Sequence, residues 1–313
     1  MKPVLYIVRA LPGGDLSPLR GLFEIRGGAP RPPPRERLVE EARDAAVLVP
    51  TYIDRVDAAL VDALPALRHV ASYGVGVNHV DLDACRRRGV LVTNTPGVLT
   101  DATADHAMAL LLAAARRVVE ADRIVRSGGW TEVDPAWMLG TEVTGKTVGV
   151  VGFGRIGQAF ARRARGFDLR VLYASPRDAG VTWAERVSLD ELLTESDFVS
   201  LHVPLTSASQ DLLSRDRIAL LKPGAIVVNT ARGGVLDDAA LAEALGEGRV
   251  GAAGLDVFPD EPRVPEAYLR LPNVVLTPHL GSGTRETRAA MARLALEDAA
   301  RVGRGEPPLH PVP

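Results

Sequence analysis

Val148-Gly149-Val150-Val151 leads into Gly152-Phe153-Gly154-Arg155-Ile156-Gly157, and a predicted helix follows. Glycines at this spacing indicate a dinucleotide site when they follow a buried strand and open a helix. Gly152 permits the tight turn, Gly154 lets a pyrophosphate approach the backbone, and Gly157 lets the helix pack closely on the strand. The amino terminus of the helix offers free N–H groups and a favourable dipole to the phosphates. The stretch therefore predicts an α/β sheet that binds a dinucleotide.

Strands and helices continue to alternate after this loop. The predicted elements of this half are Thr147–Gly152, Arg155–Gly166, Arg170–Ala174, Leu189–Thr194, Phe198–Val203, Arg215–Leu221, Ala225–Thr230, Asp237–Leu245, Gly251–Val257 and Asn273–Thr277. Helices of this length between strands imply a parallel, doubly wound sheet.

The first 95 residues repeat the same alternation. Short apolar runs bounded by polar or turn residues predict strands at Val4–Val8, Val47–Val49, His69–Ser72 and Leu91–Thr93. Helices are predicted at Asp57–Leu64 and Leu82–Arg88, and Gly27–Pro34 is predicted to be a loop because it is rich in Gly and Pro.

Two longer helices organise the predicted domains. One runs from about Thr100 to Val125, with a break at Gly128-Gly129, and its apolar middle indicates a buried domain connector. The other, at about Arg285–Val302, is predicted to pack back on the first domain. The fold class is therefore α/β with two Rossmann-like, doubly wound parallel sheets and a cleft between them. A flavodoxin-like substrate domain would comprise residues 1–98 plus 285–313, and a dinucleotide-binding domain residues 99–284.

Composition excludes several classes of protein. The 313 residues are 46% hydrophobic with a formal net charge of −2, which is ordinary for a globular protein and predicts no nucleic-acid or membrane partner. The most apolar helical stretch, Leu110–Ala115, is far shorter than the roughly 20 residues of a membrane span. The single cysteine, Cys85, fits a reducing compartment, and the amino terminus is too quickly interrupted by Arg9 to predict a signal peptide. We expect a cytoplasmic protein without a metal site.

Three segments place chemically active side chains at the ends of predicted strands. Asn229–Gly234 and Asp256–Pro262 follow strand-like runs directly, and Thr277–Ser282 closes a third. They contribute Arg232, Glu261 and His279 respectively. In a parallel α/β sheet the carboxyl ends of the strands form the ligand-binding edge, so we expect these three side chains at one edge of one sheet.

The three residue types together fit one reaction. A hydride that reaches or leaves a carbon must be matched by a proton at its oxygen, and histidine exchanges protons near neutrality. A carboxylate beside it fixes the tautomer and stabilises the imidazolium. An arginine offers a planar fork to a substrate carboxylate and polarises the adjacent carbonyl. Arg232, Glu261 and His279 therefore predict reduction of a 2-keto acid or the reverse oxidation.

The strand after the glycine loop bears on the choice of dinucleotide. It ends Tyr173-Ala174-Ser175-Pro176-Arg177, where an NAD site usually has Asp or Glu for the ribose 2′-hydroxyl. Ala174 cannot accept that bond, whereas Ser175 and Arg177 could hold a 2′-phosphate. We therefore expect NADP in preference to NAD. Asp178 leaves the alternative open, because it could pair with Arg177 or serve the ribose itself.

The chain resembles the D-isomer-specific 2-hydroxyacid dehydrogenases over essentially its whole length, and among them the glyoxylate/hydroxypyruvate reductases. The three segments above and the glycine loop with Gln158 carry the resemblance, together with Tyr73-Gly74-Val75-Gly76, Asn94-Thr95-Pro96-Gly97, Thr103-Ala104-Asp105 and His202-Val203-Pro204-Leu205-Thr206.

This resemblance implies roles for individual residues. Arg232 would bind the substrate carboxylate and carbonyl, His279 would be the acid/base, Glu261 its partner, and the backbone of Val75 and Gly76 would hold the substrate carboxylate. Contacts to the cofactor are implied for Thr103, Gly152, Phe153, Gly154, Arg155, Ile156, Gly157, Ser175, Pro176, Arg177, Val203, Pro204, Thr230, Ala231, Asp256, His279 and Gly281. Family members are usually dimers, so a homodimer is implied, with the long helix and the loop after it reaching across the interface.

Two departures from the family pattern limit the substrate and cofactor predictions. Val133 stands where some of these reductases carry a second tryptophan that shapes the substrate pocket, and Pro176 separates Ser175 from Arg177 where related NADP enzymes often read Ser-Arg. An NAD-dependent dehydrogenase of another D-2-hydroxy acid, such as D-3-phosphoglycerate, is the alternative enzyme. A dinucleotide-sensing binding protein that resembles corepressors of this fold is the alternative without turnover. His202, His106, His69, His79 and His310 are predicted to be structural or solvated.

Overall fold

The computed structural model describes residues 2–313; Met1, which the prediction above assigns to the first domain, lies outside the described residues. The strands are β1 (Val4–Ile7), β2 (Glu24–Gly27), β3 (Ala45–Val49), β4 (His69–Ala71), β5 (Leu91–Thr93), β6 (Thr147–Val151), β7 (Arg170–Ala174), β8 (Glu185–Arg186), β9 (Phe198–Leu201), β10 (Ala225–Asn229), β11 (Val250–Leu255) and β12 (Val274–Leu276). The helices are α1 (Arg35–Glu41), α2 (Ala58–Ala63), α3 (Leu82–Arg87), α4 (Thr100–Ala115), α5 (Val118–Arg126), α6 (Arg155–Arg165), α7 (Leu189–Glu195), α8 (Arg215–Leu220), α9 (Asp238–Gly246), α10 (Glu266–Leu269) and α11 (Arg285–Gly303). None of the helices within residues 2–313 is long and apolar enough to cross a membrane.

The chain divides into two compact units. One comprises Met1–Leu99 with Gly283–Pro313, and the other Thr100–Ser282. The sequence-based boundaries fall within two residues of these positions. The roles assigned to the two units, substrate binding and dinucleotide binding, stay predictions at this stage.

The second unit is built on a seven-stranded parallel sheet in the order β12-β11-β10-β9-β6-β7-β8. The chain leaves β6 toward β7 on one side and returns through β9 on the other, so the direction of winding reverses between β6 and β9. This order is that of a dinucleotide-binding α/β sheet with one additional strand, and ligands of such sheets bind where the winding reverses. The predicted fold class is confirmed for this unit.

Alternate side chains of these strands fill two separate cores. Val151, Val199 and Val227 belong to the core beneath α7, α8 and α9. Val150, Phe198 and Val228 belong to the core beneath α4 and α6. The period-two alternation of a strand, with apolar residues on both faces, is what a parallel sheet covered by helices on both sides requires.

The first unit contains a five-stranded parallel sheet in the order β2-β1-β3-β4-β5. This is the flavodoxin-like order, so the predicted fold class is confirmed here as well. Helices α1, α2 and α3 cover one face, and α11 covers the other through Leu296, Ala299 and Ala300, which pack with Leu5 and Val49.

One predicted helix is wrong in its extent. The expected helix from Thr100 to Val125 is interrupted at Arg117, which has a left-handed φ of 54° and separates α4 from α5. A left-handed residue ends a helix because the next N–H can no longer reach back along it. The carbonyl of Ala115 instead accepts a hydrogen bond from the Thr141 amide at 2.8 Å. The break therefore depends on a loop that lies more than twenty positions along the chain.

Asp238, the first residue of α9, makes folding stability depend on pH. It is partly buried, and burial raises its pKa from 3.8 to about 6 although the Tyr268 hydroxyl donates to its carboxylate at 2.9 Å. A raised pKa means that the folded state holds the proton more tightly, so stability present below pH 3.8 is lost as the pH rises through 6.

We therefore expect Asp238→Asn to be more stable than the wild type at pH 8, and about equally stable near pH 4. After allowance for partial exposure to solvent, the gain should be about 1–2 kcal/mol. Urea unfolding at several pH values measures it. Tyr268→Phe should steepen the pH dependence of the free energy of unfolding, because the hydroxyl lowers the pKa of Asp238. If the free energy of unfolding changed with pH in the same way for the wild type and Asp238→Asn, the prediction would be contradicted.

Candidate functional site

The glycine loop after β6 is built by close backbone packing. Gly152 has a φ of 90°, and a Cβ there would lie 2.6 Å from the carbonyl oxygen of His202 and 2.7 Å from Val203 Cγ1. A Cβ on Gly157 would lie 2.1 Å from the Gly152 carbonyl oxygen. A side chain at Gly152 would collide with the segment after β9. One at Gly157 would push α6 away from the end of β6, as the sequence predicts for this glycine.

Gly154 differs from these two because it has open space around it. Apart from its two chain neighbours, no heavy atom of residues 2–313 lies within 4 Å of the position that its Cβ would take. Gly154 is the N-cap of α6, and no side chain caps this helix. The first turn of an eleven-residue helix thus presents its N–H groups to the open side of the loop. These features fit a dinucleotide pyrophosphate.

Two of the residues implied for the cofactor have environments that the sequence did not indicate. The ring of Phe153 is buried and stacks on Tyr173 with the ring centroids 4.0 Å apart, so its side chain supports the loop from the core. Thr230, at the end of β10, has a buried hydroxyl with no hydrogen-bond partner within the described residues. A buried hydroxyl without a partner costs free energy, so a polar group of a bound molecule is the partner that this position fits.

The carboxylate of Asp178 is committed to its own loop. Its Oδ1 accepts hydrogen bonds from the Tyr173 hydroxyl at 2.7 Å and from the Gly180 amide at 3.0 Å. The Tyr173 bond, with smaller contributions that include the charge of Arg186, holds the pKa of this carboxyl below its ordinary value. Arg177 is exposed. The loop after β7 therefore uses Asp178 as a structural acceptor.

Glu261 and His279 form a hydrogen-bonded pair. His279 Nδ1 lies 2.7 Å from Glu261 Oε2. The two side chains are 21% and 23% exposed, so both are largely buried but remain in contact with solvent. The other oxygen, Oε1, accepts from the Phe258 amide at 3.0 Å, which fixes the carboxylate. An ionised carboxylate only accepts hydrogen bonds, so Nδ1 carries the proton and Nε2 is the ring nitrogen that does not contact Glu261.

The backbone that carries His279 is held by Asp256. His279 has a left-handed φ of 55°, and its amide donates to the Asp256 carbonyl at 2.9 Å. The Asp256 side chain is fully buried. Its carboxylate accepts hydrogen bonds from the Leu280 amide (2.7 Å), the Gly281 amide (2.8 Å), the Thr277 hydroxyl (2.6 Å) and His106 Nε2 (3.2 Å). This carboxylate thus holds the turn that positions the acid/base candidate.

His106 belongs to this network, which the sequence did not predict. Its Nε2 also lies 3.0 Å from the Thr277 hydroxyl. Burial by itself raises the pKa of the Asp256 carboxyl, but hydrogen bonds from His106, Thr277 and the Leu280 amide, together with the charge of His106, lower it below its ordinary value. No sequence signal could have linked His106 to Asp256, because they lie 150 positions apart.

Arg232 lies in a loop that the preceding strand stabilises. Asn229 Nδ2 donates to the Arg232 carbonyl at 3.0 Å, and Asn229 Oδ1 accepts from the Ala231 amide at 3.0 Å. The Arg232 guanidinium donates to the Ala231 carbonyl through Nη1 at 2.6 Å. The next residue, Gly233, packs against the loop of Glu261, since a Cβ there would lie 2.0 Å from the Phe258 carbonyl carbon. The Arg232 loop and the Glu261 loop are therefore in backbone contact.

Gly233→Ala is expected to damage the site more than the fold. The added methyl overlaps backbone atoms and must push the two loops apart, which should lower kcat/KM by about 10²-fold and destabilise the protein by about 1–3 kcal/mol. Gly246→Ala is the matched control, because its Cβ would meet only Leu271 Cδ2 at 3.8 Å. Keto-acid turnover and the thermal unfolding midpoint of both variants test this. Equal turnover in the two variants would show that the close approach of the loops is not needed.

The remaining predicted substrate residues lie in the first unit. Val75 and Gly76 are partly exposed, and the Val75 carbonyl accepts from Asn94 Nδ2 at 2.8 Å. Gly74, just before them, packs on Tyr52, where a Cβ would lie 2.9 Å from Tyr52 Cβ. The backbone of this segment is therefore held in place, and its role toward a substrate stays a prediction.

The sequence and the fold are similar to those of known proteins. A family model described as "D-isomer specific 2-hydroxyacid dehydrogenase, NAD binding domain" matches residues 108–281. The glyoxylate reductase of Pyrococcus furiosus is 48% identical, with 98% of this chain and 94% of the relative covered. A crystal structure of a protein from Thermus thermophilus has a TM-score of 0.94 at 46% identity, with 99% of both chains covered. An NADPH-dependent glyoxylate/hydroxypyruvate reductase from Sinorhizobium meliloti, in complex with NADP and malonate, has a TM-score of 0.88 at 33% identity, with 100% and 97% covered.

Proposed function

The chain belongs to the D-isomer specific 2-hydroxyacid dehydrogenase family, and from this we propose that it reduces small 2-keto acids, with glyoxylate and hydroxypyruvate as substrates. The observation that carries the proposal is the pair of His279 and Glu261 on a turn fixed by Asp256, in the same unit as the glycine loop. Relatives named glyoxylate reductase that match nearly the whole chain support the substrate class.

His279 is the proton donor in the proposed reaction. Reduction of a keto group leaves negative charge on its oxygen, and a positioned imidazolium can supply the proton there. Glu261 accepts from Nδ1, which fixes the tautomer, directs Nε2 to the substrate oxygen and stabilises the imidazolium before transfer. Oxidation of the hydroxy acid would use the same nitrogen as the base.

Arg232 binds the substrate in this proposal. Its guanidinium can accept a carboxylate through two parallel N–H donors and can polarise the neighbouring carbonyl. The bond from its Nη1 to the Ala231 carbonyl limits the orientations of the fork. The assignment of Val75 and Gly76 to the substrate carboxylate is carried over from the family resemblance and stays a prediction.

A nicotinamide dinucleotide would supply and accept the hydride when bound. The N–H groups at the start of α6 and the open face of Gly154 would hold its pyrophosphate, and the unpaired Thr230 hydroxyl would give it a further donor or acceptor. We propose NADP as the preferred form. Support comes from the absence of an acidic side chain at Ala174, from Ser175 and Arg177 after β7, and from the internal bonds of Asp178.

Two predictions about the surroundings of the enzyme accompany this function. We propose a homodimer, because the loop between α5 and β6 exposes Trp130 (55%), Val133 (85%) and Leu139 (69%), an apolar set that a second copy could cover. Sedimentation of Trp130→Glu should show a shift toward monomer, and an unchanged dimer would exclude Trp130 from the interface.

The cytoplasmic location inferred from composition stays a prediction.

One kinetic panel tests the proposal. Values of kcat/KM are measured for glyoxylate, hydroxypyruvate and 3-phosphohydroxypyruvate, each with NADPH and with NADH. We expect the two small keto acids and NADPH to give the highest values. Highest activity with NADH and the phosphorylated keto acid would favour the phosphoglycerate alternative. Dinucleotide binding without turnover of any keto acid would favour the binding-protein alternative.

A further inference from the structure

Arg186 holds the backbone of the loop after β7. It lies on β8, a two-residue edge strand whose partner is β7, with Tyr173 opposite Arg186. Its guanidinium donates to the Ser175 carbonyl from Nε at 3.3 Å and from Nη2 at 3.1 Å, and to the Pro176 carbonyl from Nη2 at 3.0 Å. Three hydrogen bonds therefore join the edge strand to the segment that follows Ala174.

The Ser175 and Pro176 carbonyls belong to the segment where the sequence predicts the 2′-group of the dinucleotide. A peptide carbonyl that is not otherwise engaged accepts hydrogen bonds, so it suits a ribose 2′-hydroxyl and repels a 2′-phosphate. The Arg186 guanidinium makes two hydrogen bonds to the Ser175 carbonyl and one to the Pro176 carbonyl, which reduces their capacity to accept from a ribose hydroxyl, and it brings a positive charge beside them. The charge of Arg186 is felt by Asp178, whose pKa it helps to lower, but the hydrogen bonds of the guanidinium go to the two carbonyls.

The acidic neighbours of Arg186 make their hydrogen bonds to other groups. Glu185 and Glu195 both pair with Arg170, at 2.8 and 3.0 Å. Asp178 accepts from the Tyr173 hydroxyl and the Gly180 amide. Arg177 is exposed, whereas Arg186 is fixed by the two loop carbonyls. Of the two cations at this end of β7, Arg186 is thus the one that the fold positions.

We infer that Arg186 is a specificity-determining positioning residue. It occupies the Ser175 and Pro176 carbonyls, so that the loop after β7 takes a 2′-phosphate in preference to a 2′-hydroxyl. This inference rests on the proposed dinucleotide function and deepens it. Arg177 then adds a second, exposed charge, while Arg186 sets the shape of the loop.

The test separates the phosphate from the rest of the cofactor. Calorimetry measures the Kd of 2′,5′-ADP and of 5′-AMP for the wild type, Arg186→Gln, Arg186→Lys and the control Arg170→Gln. Arg186→Gln should raise the Kd of 2′,5′-ADP about tenfold or more, because the hydrogen bonds from the charged guanidinium to the loop carbonyls are lost. The Kd of 5′-AMP should stay within about threefold of the wild-type value. Arg186→Lys should retain part of the preference through its charge alone, and Arg170→Gln should bind both ligands like the wild type.

Steady-state kinetics supply the second measurement. In Arg186→Gln the KM for NADPH should rise with kcat unchanged, and the KM for NADH should stay constant or fall. Equal weakening of both nucleotides would show a merely structural role and overturn the inference, as would an unchanged preference. A wild type that reduces keto acids but binds 5′-AMP as well as 2′,5′-ADP would overturn this inference while the proposed reductase activity stands. If the wild type turned over no keto acid, while Arg186→Gln still lost the preference for the 2′-phosphate, only the proposed function would be contradicted.

Discussion

His279→Gln should lower kcat for keto-acid reduction by about 10²–10⁴-fold, because the variant has no side chain that can donate a proton to the developing alkoxide. Glutamine can keep a hydrogen bond to Glu261, so the turn held by Asp256 should survive. The Kd for the dinucleotide is therefore expected to stay close to that of the wild type. Stopped-flow measurement of NADPH oxidation gives the chemical step, and quenching of protein fluorescence gives the Kd.

Two further variants make the His279 result specific. Glu261→Gln should also lower kcat, by a smaller factor, because the neutral amide stabilises the imidazolium less well than a carboxylate at 2.7 Å. His310→Gln is the matched control in the first unit, where the ring pairs with Asp298, and its kcat should change by about twofold at most. Near-normal turnover in His279→Gln would remove this residue from the mechanism.

Arg232→Lys should lower kcat/KM for the keto acid by about 10²–10³-fold, the loss typical when a preorganised donor to a developing charge is removed. A lysine keeps the positive charge but is a single point donor, so it cannot bind a carboxylate bidentately and polarise the carbonyl at once. The bond that Arg232 Nη1 makes to the Ala231 carbonyl, which orients the fork, is lost as well.

The control for Arg232 lies in the neighbouring loop. Arg263 has an 83% exposed side chain that pairs with Asp260 at 2.9 Å, and exposed pairs contribute little free energy. Arg263→Lys should therefore have wild-type kinetics. The KM for NADPH should be unchanged in both variants. If Arg232→Lys kept its keto-acid kcat/KM within a few fold, or changed only the KM for NADPH, Arg232 would not be the substrate-binding fork.

Some of the architecture follows from the sequence because the relevant interactions are local. The glycine loop needs small residues at fixed spacing, and a Cβ at Gly152 or Gly157 would indeed collide with backbone atoms of the second unit. The strands of this sheet other than β8 are apolar runs separated by helical segments, so their parallel arrangement could be predicted, and the order of the sheet confirms it. The sequence pattern does not predict the edge strands β2 and β8, because β2 is only partly buried and both residues of β8 are exposed.

Other features depend on contacts between distant positions. The break at Arg117 comes from a loop that bonds the end of α4, and no glycine or proline in the sequence marks it. The hydrogen bond of His106 with Asp256 depends on how α4 packs against the end of β11, and the contact of Gly233 with Phe258 depends on how the loops after β10 and β11 meet. Hydrogen bonds between distant residues leave no periodicity in a sequence, so pattern reasoning cannot find them.

The sequence by itself determined the class of sheet, the dinucleotide loop and the three side chains expected at one edge, because glycine sterics, strand periodicity and side-chain chemistry are properties of short segments. Only the tertiary structure decided that His279 Nδ1 lies 2.7 Å from Glu261, that a buried Asp256 holds the turn beneath it, and that Arg186 occupies the carbonyls after β7. The physical reason is that hydrogen bonds require donor and acceptor within about 3 Å, a condition that only the folded chain can impose on residues far apart in sequence.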